Sequence, residues 1–302
     1  MSMLLIRGTF RAKGTRPDGD TISFTPDDVA DWKLVPGPRP VVPRAFGQVS
    51  IRLEGVDALE THYGEEDSPS GVQHQPLPLA HEAADALLTA LGFTDFHRDK
   101  TEKITSTIPE TVPGYVLARG ADVYGRCVAL AGKGLPPVFN GYEIEVDERT
   151  LRETVNYQLV EAGLAYPTYY TGIPEPMRAS LTAAADAARD AKEGVWARDT
   201  TTAPSGTAIA GLPSLTVDDG AVILPKLFRR LKDYFDFNPA DTSLACFRAY
   251  LAGAWEDRYY LPGSSEPLSG LHHIVEVLDD VVAGGRRLRM THGPTEVVFE
   301  ER

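Results

Sequence analysis

The chain is poor in cysteine. Its two thiols, Cys127 and Cys246, stand in no CxxC-type spacing among 302 residues. A disulfide framework is excluded, and two reduced, buried thiols in a reducing compartment are expected. Long apolar runs are also lacking. The N-terminal MLLI (3–6) is far shorter than a signal-peptide core or the roughly 20 residues of a membrane span. No membrane partner is expected, and the expected location is cytoplasmic. Positive charge is scarce as well, with 30 Lys and Arg against 43 Asp and Glu and a formal net charge of −13. This balance argues against binding nucleic acid through bulk charge. It leaves room for a nucleic-acid enzyme whose positive charge is confined to one cleft.

What is present suits a globular protein: 42% hydrophobic and 24% charged residues, and length enough for two domains. Extended patterns come first: LLIRGTFRAKGT (4–15), TISF (21–24), VSIRLEGVDA (49–58), PGYVLARG (113–120) and YGRCVALAG (124–132). Helical patterns follow. Ala80, Ala83, Ala84, Leu87, Leu88 and Leu91 form one face over 80–91. Leu151, Val155, Leu159 and Ala162 do the same before Gly163, and an alanine-rich helix over 177–196 closes at Gly194 and Trp196. Strands before helices suggest an α+β fold built on a small barrel or curled sheet.

The stretch 27–48 is too proline-rich for regular structure, and 62–79 is polar and turn-rich. Residues 199–218, rich in Thr, Ser, Pro and Gly, suggest a linker. Beyond it, 219–302 forms a smaller α+β unit able to fold alone. That unit has an amphipathic helix (Leu224, Leu227, Phe228, Leu231, Phe235), a second helix over 243–255, and strand-like segments over 272–280 and 286–301.

The chemistry sits in the first part. PDGDTISF (17–24) carries Asp-Gly, a strong turn dipeptide. Gly19 is expected to make the bend that aims Asp20, with Asp18 structural. IRLEGVDALET (51–61) places Arg52, Asp57 and Glu60 within nine residues at a strand end, and VYGRC (123–127) adds Arg126. Taken singly, each is the kind of residue that most often serves a surface or an ion pair. Taken together, they suit phosphodiester hydrolysis. Close carboxylates repel unless a cation lies between them, so Asp20 and Asp57 are candidate ligands of a hard, oxygen-liganded ion, Ca²⁺ ahead of Mg²⁺. Glu60 is the candidate general base. Arg52 and Arg126 are candidates to grip the phosphoryl oxygens, a task for which a planar guanidinium fork suits better than lysine.

The ordered motifs PDGDT, IRLEGVDALET, VYGRCVAL, NYQLVEAGLAY and AAADAARDAKEGVW resemble the staphylococcal-nuclease-like (thermonuclease) family over residues 5–198, with insertions at 27–48 and 62–79. The resemblance implies a five-stranded OB-type β-barrel with three helices over 1–198, and hydrolysis of DNA and RNA with Ca²⁺ to leave 3′-phosphate ends. It assigns Asp20 and Asp57 to the cation, Glu60 to general base, and Arg52 and Arg126 to phosphate. Ala58, standing for the family's threonine, would lend its backbone carbonyl to the metal, and Tyr124 and Tyr169 would contact substrate. Leu59 replaces a proline, which loosens the turn, and Val123 replaces a lysine, which removes a positive charge.

His62, His74, His81 and His97, and the pair His272–His273, match no compact zinc spacing. RRLK (229–232) and GRRLRM (285–290) are basic patches that suit either a solvated face or guidance of a nucleic-acid strand. The leading expectation is a metal-dependent nuclease with weak sequence preference, using Ca²⁺, Mg²⁺ or Mn²⁺. Two alternatives remain. One is a nuclease regulated through 219–302, a region also suited to a protein partner or self-association. The other is a catalytically silent nucleic-acid-binding module.

Overall fold

The computed structural model describes the chain except residues 137, 241, 255, 256, 281–284 and 302. The first part runs β1 (Ser2–Arg11), β2 (Thr21–Pro26), β3 (Val49–Leu53), β4 (Val56–Ala58), α1 (Leu77–Leu91), β5 (Asp95–Arg98), β6 (Ile104–Ile108), β7 (Val112–Ala121), β8 (Cys127–Lys133), β9 (Glu143–Glu145), α2 (Glu148–Arg152), α3 (Val155–Glu161), β10 (Ala165–Pro167), β11 (Tyr169–Tyr170) and α4 (Glu175–Ala191). β1 pairs with β2, β2 with β3, β3 with β8 in parallel, β8 with β7, and β7 back with β1. Five strands thus close into a barrel of the OB type, which leaves no free edge. β9 adds to the outer side of β1.

Period-2 alternation places the site on this barrel. In β3, Val49, Ile51 and Leu53 are buried while Ser50 and Arg52 point the other way. α1 buries the expected six residues, and Gly92 ends it in the left-handed region. The helix expected over 149–163 is two helices, because the Thr154 hydroxyl caps α3 by accepting from the Tyr157 N–H. Asn156 on α3 locks that helix to the barrel: its side chain accepts from the Ala131 N–H and donates to the Glu54 and Ala129 carbonyls. The stretch 27–48 holds two 3₁₀ turns, and Trp32 from it packs edge-on to Phe24. The hairpin of β5 and β6 has no counterpart among the sequence expectations.

The second part runs β12 (Thr207–Ile209), α5 (Pro213–Thr216), α6 (Pro225–Phe237), α7 (Phe247–Ala254), β13 (Arg258–Tyr260), β14 (Leu268–Ser269), β15 (Val275–Asp280), β16 (Gly285–Met290) and β17 (Val298–Phe299). The expected end of the second helix, Trp255, lies outside the described residues. Residues 199–218 are not a linker. β12 pairs with β16, and Thr201, Thr207, Ile209 and Leu215 are buried, so the small and hydroxyl residues that suggested a loose tether pack into the second part.

The two parts also share structure. β11 pairs in parallel with β17, and one apolar cluster joins Leu59, Ala80, Tyr166 and Val195 to Leu227, Phe228 and Leu231 of α6. Among the described residues, no helix is long and apolar enough to cross a membrane.

Candidate active site

Four of the expected residues meet at one end of the barrel. Asp20 lies just before β2, Arg52 on β3, Asp57 on β4, and Glu60 just beyond β4. The bend before Asp20 departs from expectation in one respect. Gly19 does not take a positive φ; it is needed because a Cβ there would stand 2.6 Å from the Cβ atoms of both Ala58 and Ala83. Close packing is what holds Asp20 against β4. Asp18 accepts weakly from the Asp20 N–H, at 3.4 Å, in keeping with a structural role.

Arg52 ties the carboxylates together. Its guanidinium donates to Asp20 Oδ2, to Asp57 Oδ1 at 3.2 Å, and to the Val56 carbonyl at 3.0 Å. Asp20 and Asp57 therefore face one cation, and the Ala58 N–H reaches Asp20 at 3.4 Å.

A second arginine was not foreseen. Arg229, on α6, donates to both oxygens of Asp57, the nearer at 3.1 Å, and forms a short ion pair with Glu60 Oε1. RRLK is thus no solvated patch. Arg229 enters the acid cluster, Arg230 pairs with Asp257 at 2.9 Å, and Lys232 is buried against Asp236. The sequence signal was only a basic residue beside an apolar helix face, with nothing to name a partner about 170 positions earlier.

Burial dominates the electrostatics. Desolvation pushes the Asp20 carboxyl up to about 7 against the pull of Arg52, and pushes Glu60 up to about 7 against Arg229. Burial also raises Asp57, but Arg229 and Arg52 together outweigh it and hold that carboxylate below its ordinary value. Only 8%, 2% and 9% of Asp20, Asp57 and Glu60 is exposed, so the acidic half of the site is covered.

An open cavity adjoins it. This cavity, of about 330 Å³, is lined by Arg52, Arg119, Arg126 and Arg230, by the carboxylates Glu54, Asp122 and Asp257 that pair with the last three, and by Tyr124 and Tyr170. Arg126 sits at the start of β8 after a turn built on Asp122, whose Oδ1 accepts from the Tyr124 and Arg126 N–H groups, each at 2.9 Å, while Oδ2 holds the Arg126 Nε at 2.6 Å. Gly125 supplies the positive φ of that turn. Tyr124 is exposed beside the Arg126 guanidinium, 5.6 Å from it. Tyr169 is not in the cleft. It is 1% exposed, with its hydroxyl bound to the Arg178 carbonyl and to Thr182, because β11 alternates and turns Tyr169 into the core while Tyr170 lines the cavity.

Asp20, Asp57 and the Ala58 carbonyl make an all-oxygen donor set, which fits a hard cation in ligand type. The two guanidiniums on these carboxylates mark the place where positive charge is drawn. Among the described residues, no three or more His, Cys, Asp or Glu side chains are grouped closely enough to hold a metal ion.

The site is thus a closed OB-type barrel with buried carboxylates on one side of Arg52 and an open polar cavity on the other. Residues 50–198 match the family model described as staphylococcal nuclease homologue. The match begins after β1, β2 and Asp20, which the barrel nonetheless requires for closure and for the acid cluster. Among curated proteins no match is found.

Proposed function

We propose that the chain is a metal-dependent nuclease that hydrolyses phosphodiester bonds of DNA or RNA with weak sequence preference, leaving 3′-phosphate ends. The observation that carries this reading is the convergence of Asp20, Arg52, Asp57 and Glu60 on one point, with Arg126 across the adjoining cavity. In this reading Asp20, Asp57 and the Ala58 carbonyl hold a divalent cation, Ca²⁺ first and Mg²⁺ or Mn²⁺ as substitutes. When bound, it supplies positive charge to the phosphate and to the attacking water.

Arg126, fixed at its Nε by Asp122, and Arg52 grip the phosphoryl oxygens and stabilise the charge that gathers on them during attack. Glu60 takes the proton from water. Tyr124 and Tyr170 offer ring faces at the cavity for an unpaired base, which suits single strands better than duplex. Both cysteines are free, Cys127 buried as expected and Cys246 exposed against expectation, and a reducing cytoplasm suits such a chain.

The test is cleavage of fluorescent single- and double-stranded DNA and RNA by the full chain in chelator, Ca²⁺, Mg²⁺ and Mn²⁺. Glu60→Gln is expected to keep oligonucleotide binding and to lower turnover by about two to four orders of magnitude. Equal cutting by Glu60→Gln would refute the assignment of the base. The hold of Arg229 on Asp57 and Glu60 favours a second element of the same reading, regulation through the C-terminal part.

A further inference from the structure

The insertion at 62–79 and helix α6 are built for one another. The Tyr63 hydroxyl donates to Asp233 at 3.2 Å, the Ser70 N–H donates to Asp236 at 2.9 Å, and the buried Lys232 ammonium donates to Ser68 at 2.7 Å. Gln75, fully buried, joins the two regions directly: its amide oxygen accepts from the Glu60 N–H at 3.2 Å, and its amide nitrogen donates to the Ile223 carbonyl at 2.8 Å. Leu59, beside Glu60, is in the same apolar cluster as Leu227, Phe228 and Leu231. Every one of these contacts presses α6 onto the loop that carries the base.

Arg229 is the residue that this docking delivers. Its fork takes both oxygens of Asp57 and one of Glu60. Arg52 already holds Asp57 Oδ1, so that carboxylate faces guanidinium on two sides. A cation held by Asp20 and Asp57 would need Asp57 oxygen lone pairs, and Glu60 would need a free carboxylate to take a proton from water. Arg229 competes for both.

We propose that Arg229 is an internal cation that stands in the metal's place, so that divalent-metal binding and docking of the α6 arginine exclude each other and the docked chain is a latent nuclease. The proposal rests on the nuclease reading for the role of the metal, but not for the competition itself, which concerns Asp57 and Glu60 alone. The insertion then has a purpose: it is the receptor for the helix that silences the site. Displacement of Arg229 needs no opening of the barrel, but it does need α6 to shift against the apolar cluster that holds Leu227, Phe228 and Leu231.

The test is calorimetric titration of the full chain and of Arg229→Gln with Ca²⁺, and separately with Mg²⁺ and Mn²⁺, with Asp57→Asn as the ligand-deleted control. Arg229→Gln is expected to bind metal about tenfold more tightly or better, since an affinity is reduced by the fraction of chains that are competent. Amide hydrogen exchange over 225–237 in the wild-type chain provides a readout independent of that variant's folding, and Ca²⁺ is expected to speed it. Equal metal affinity in both chains, no binding in either, or exchange over α6 unchanged by saturating metal would each overturn the proposal. The two readings fail separately. Tighter binding in Arg229→Gln without any cleavage would uphold the competition and refute the nuclease, and cleavage by both chains at equal metal affinity would do the reverse.

Discussion

Glu60 offers a measurement in which two forces of opposite sign compete. Burial favours its neutral form, the Arg229 ion pair favours its charged form, and burial wins, lifting the carboxyl from 4.5 to about 7. A raised carboxyl binds its proton more tightly in the folded chain than in the unfolded one. Its cost to stability is therefore absent below about 4.5, grows as pH rises, and is complete above about 7. The distance between those values, at about 1.4 kcal/mol per pH unit, makes that cost about 3 kcal/mol.

Replacing Glu60 with Gln removes the ionisation and keeps the shape. In chelator, urea unfolding of the wild-type chain and of Glu60→Gln at pH 4.5, 6, 7 and 8 yields a difference in which groups uncoupled from Glu60, such as His62, cancel, while Asp18 and Asp20, which feel its charge, add to the same trend. The variant is expected to gain stability relative to wild type as pH rises, by about 3 kcal/mol at the top of the range. A flat difference would mean that burial and Arg229 balance. A difference of opposite sign would mean that the ion pair outweighs burial, and a Glu60 held ionised in that way would no longer be a base poised near neutrality.

Two further outcomes are expected. Gly19→Ala should destabilise the chain by about 1–3 kcal/mol, as overpacked cores do. The added Cβ meets Ala58 and Ala83, so the same variant should also weaken metal binding by shifting Asp20; unchanged melting would refute the close-packing account of Gly19. Arg126→Lys should leave the melting temperature near wild type, because the side chain is a third exposed, while lowering kcat/KM by about 10-fold or more through loss of the guanidinium fork; near-normal cleavage would remove Arg126 from the site.

The barrel was legible because its signals are local. Alternation in 49–53 and 112–121, the apolar face of 80–91 and the turn dipeptides each declare themselves within a short window, and the motif order linked them. Asp20, Arg52, Asp57, Glu60 and Arg126 could be read in the same way, as side chains at strand ends. What was misread turned on packing. Gly19 looked like a turn residue because Asp-Gly usually is one, whereas its real neighbours are two alanine Cβ atoms on β4 and α1. Tyr169 and Tyr170 differ by one residue, and only the pairing of β11 with β17 decides which ring faces the core. Residues 199–218 have the composition of a linker, yet β12 becomes a strand because β16 lies ready to pair with it.

Arg229 marks the limit of what periodicity conveys. On α6 the apolar repeat reports which face is buried, and it places Leu227, Phe228, Leu231 and Phe235 correctly. It says nothing of a charged side chain on the helix flank, where the same arginine is equally at home in water or in an ion pair. What decides between them is the acidic surplus it meets. Three carboxylates crowd one barrel mouth with Arg52 alone among them from the barrel, and the chain as a whole is short of positive charge. Such a cluster recruits a cation from wherever the fold supplies one. A divalent cation and a guanidinium would meet that need by different means: Asp20 and Asp57 would hold the former, whereas Arg229 occupies Asp57 and Glu60 itself. In the proposed reading, catalysis and latency are alternative ways of neutralising the same carboxylates, and the position of α6 selects between them.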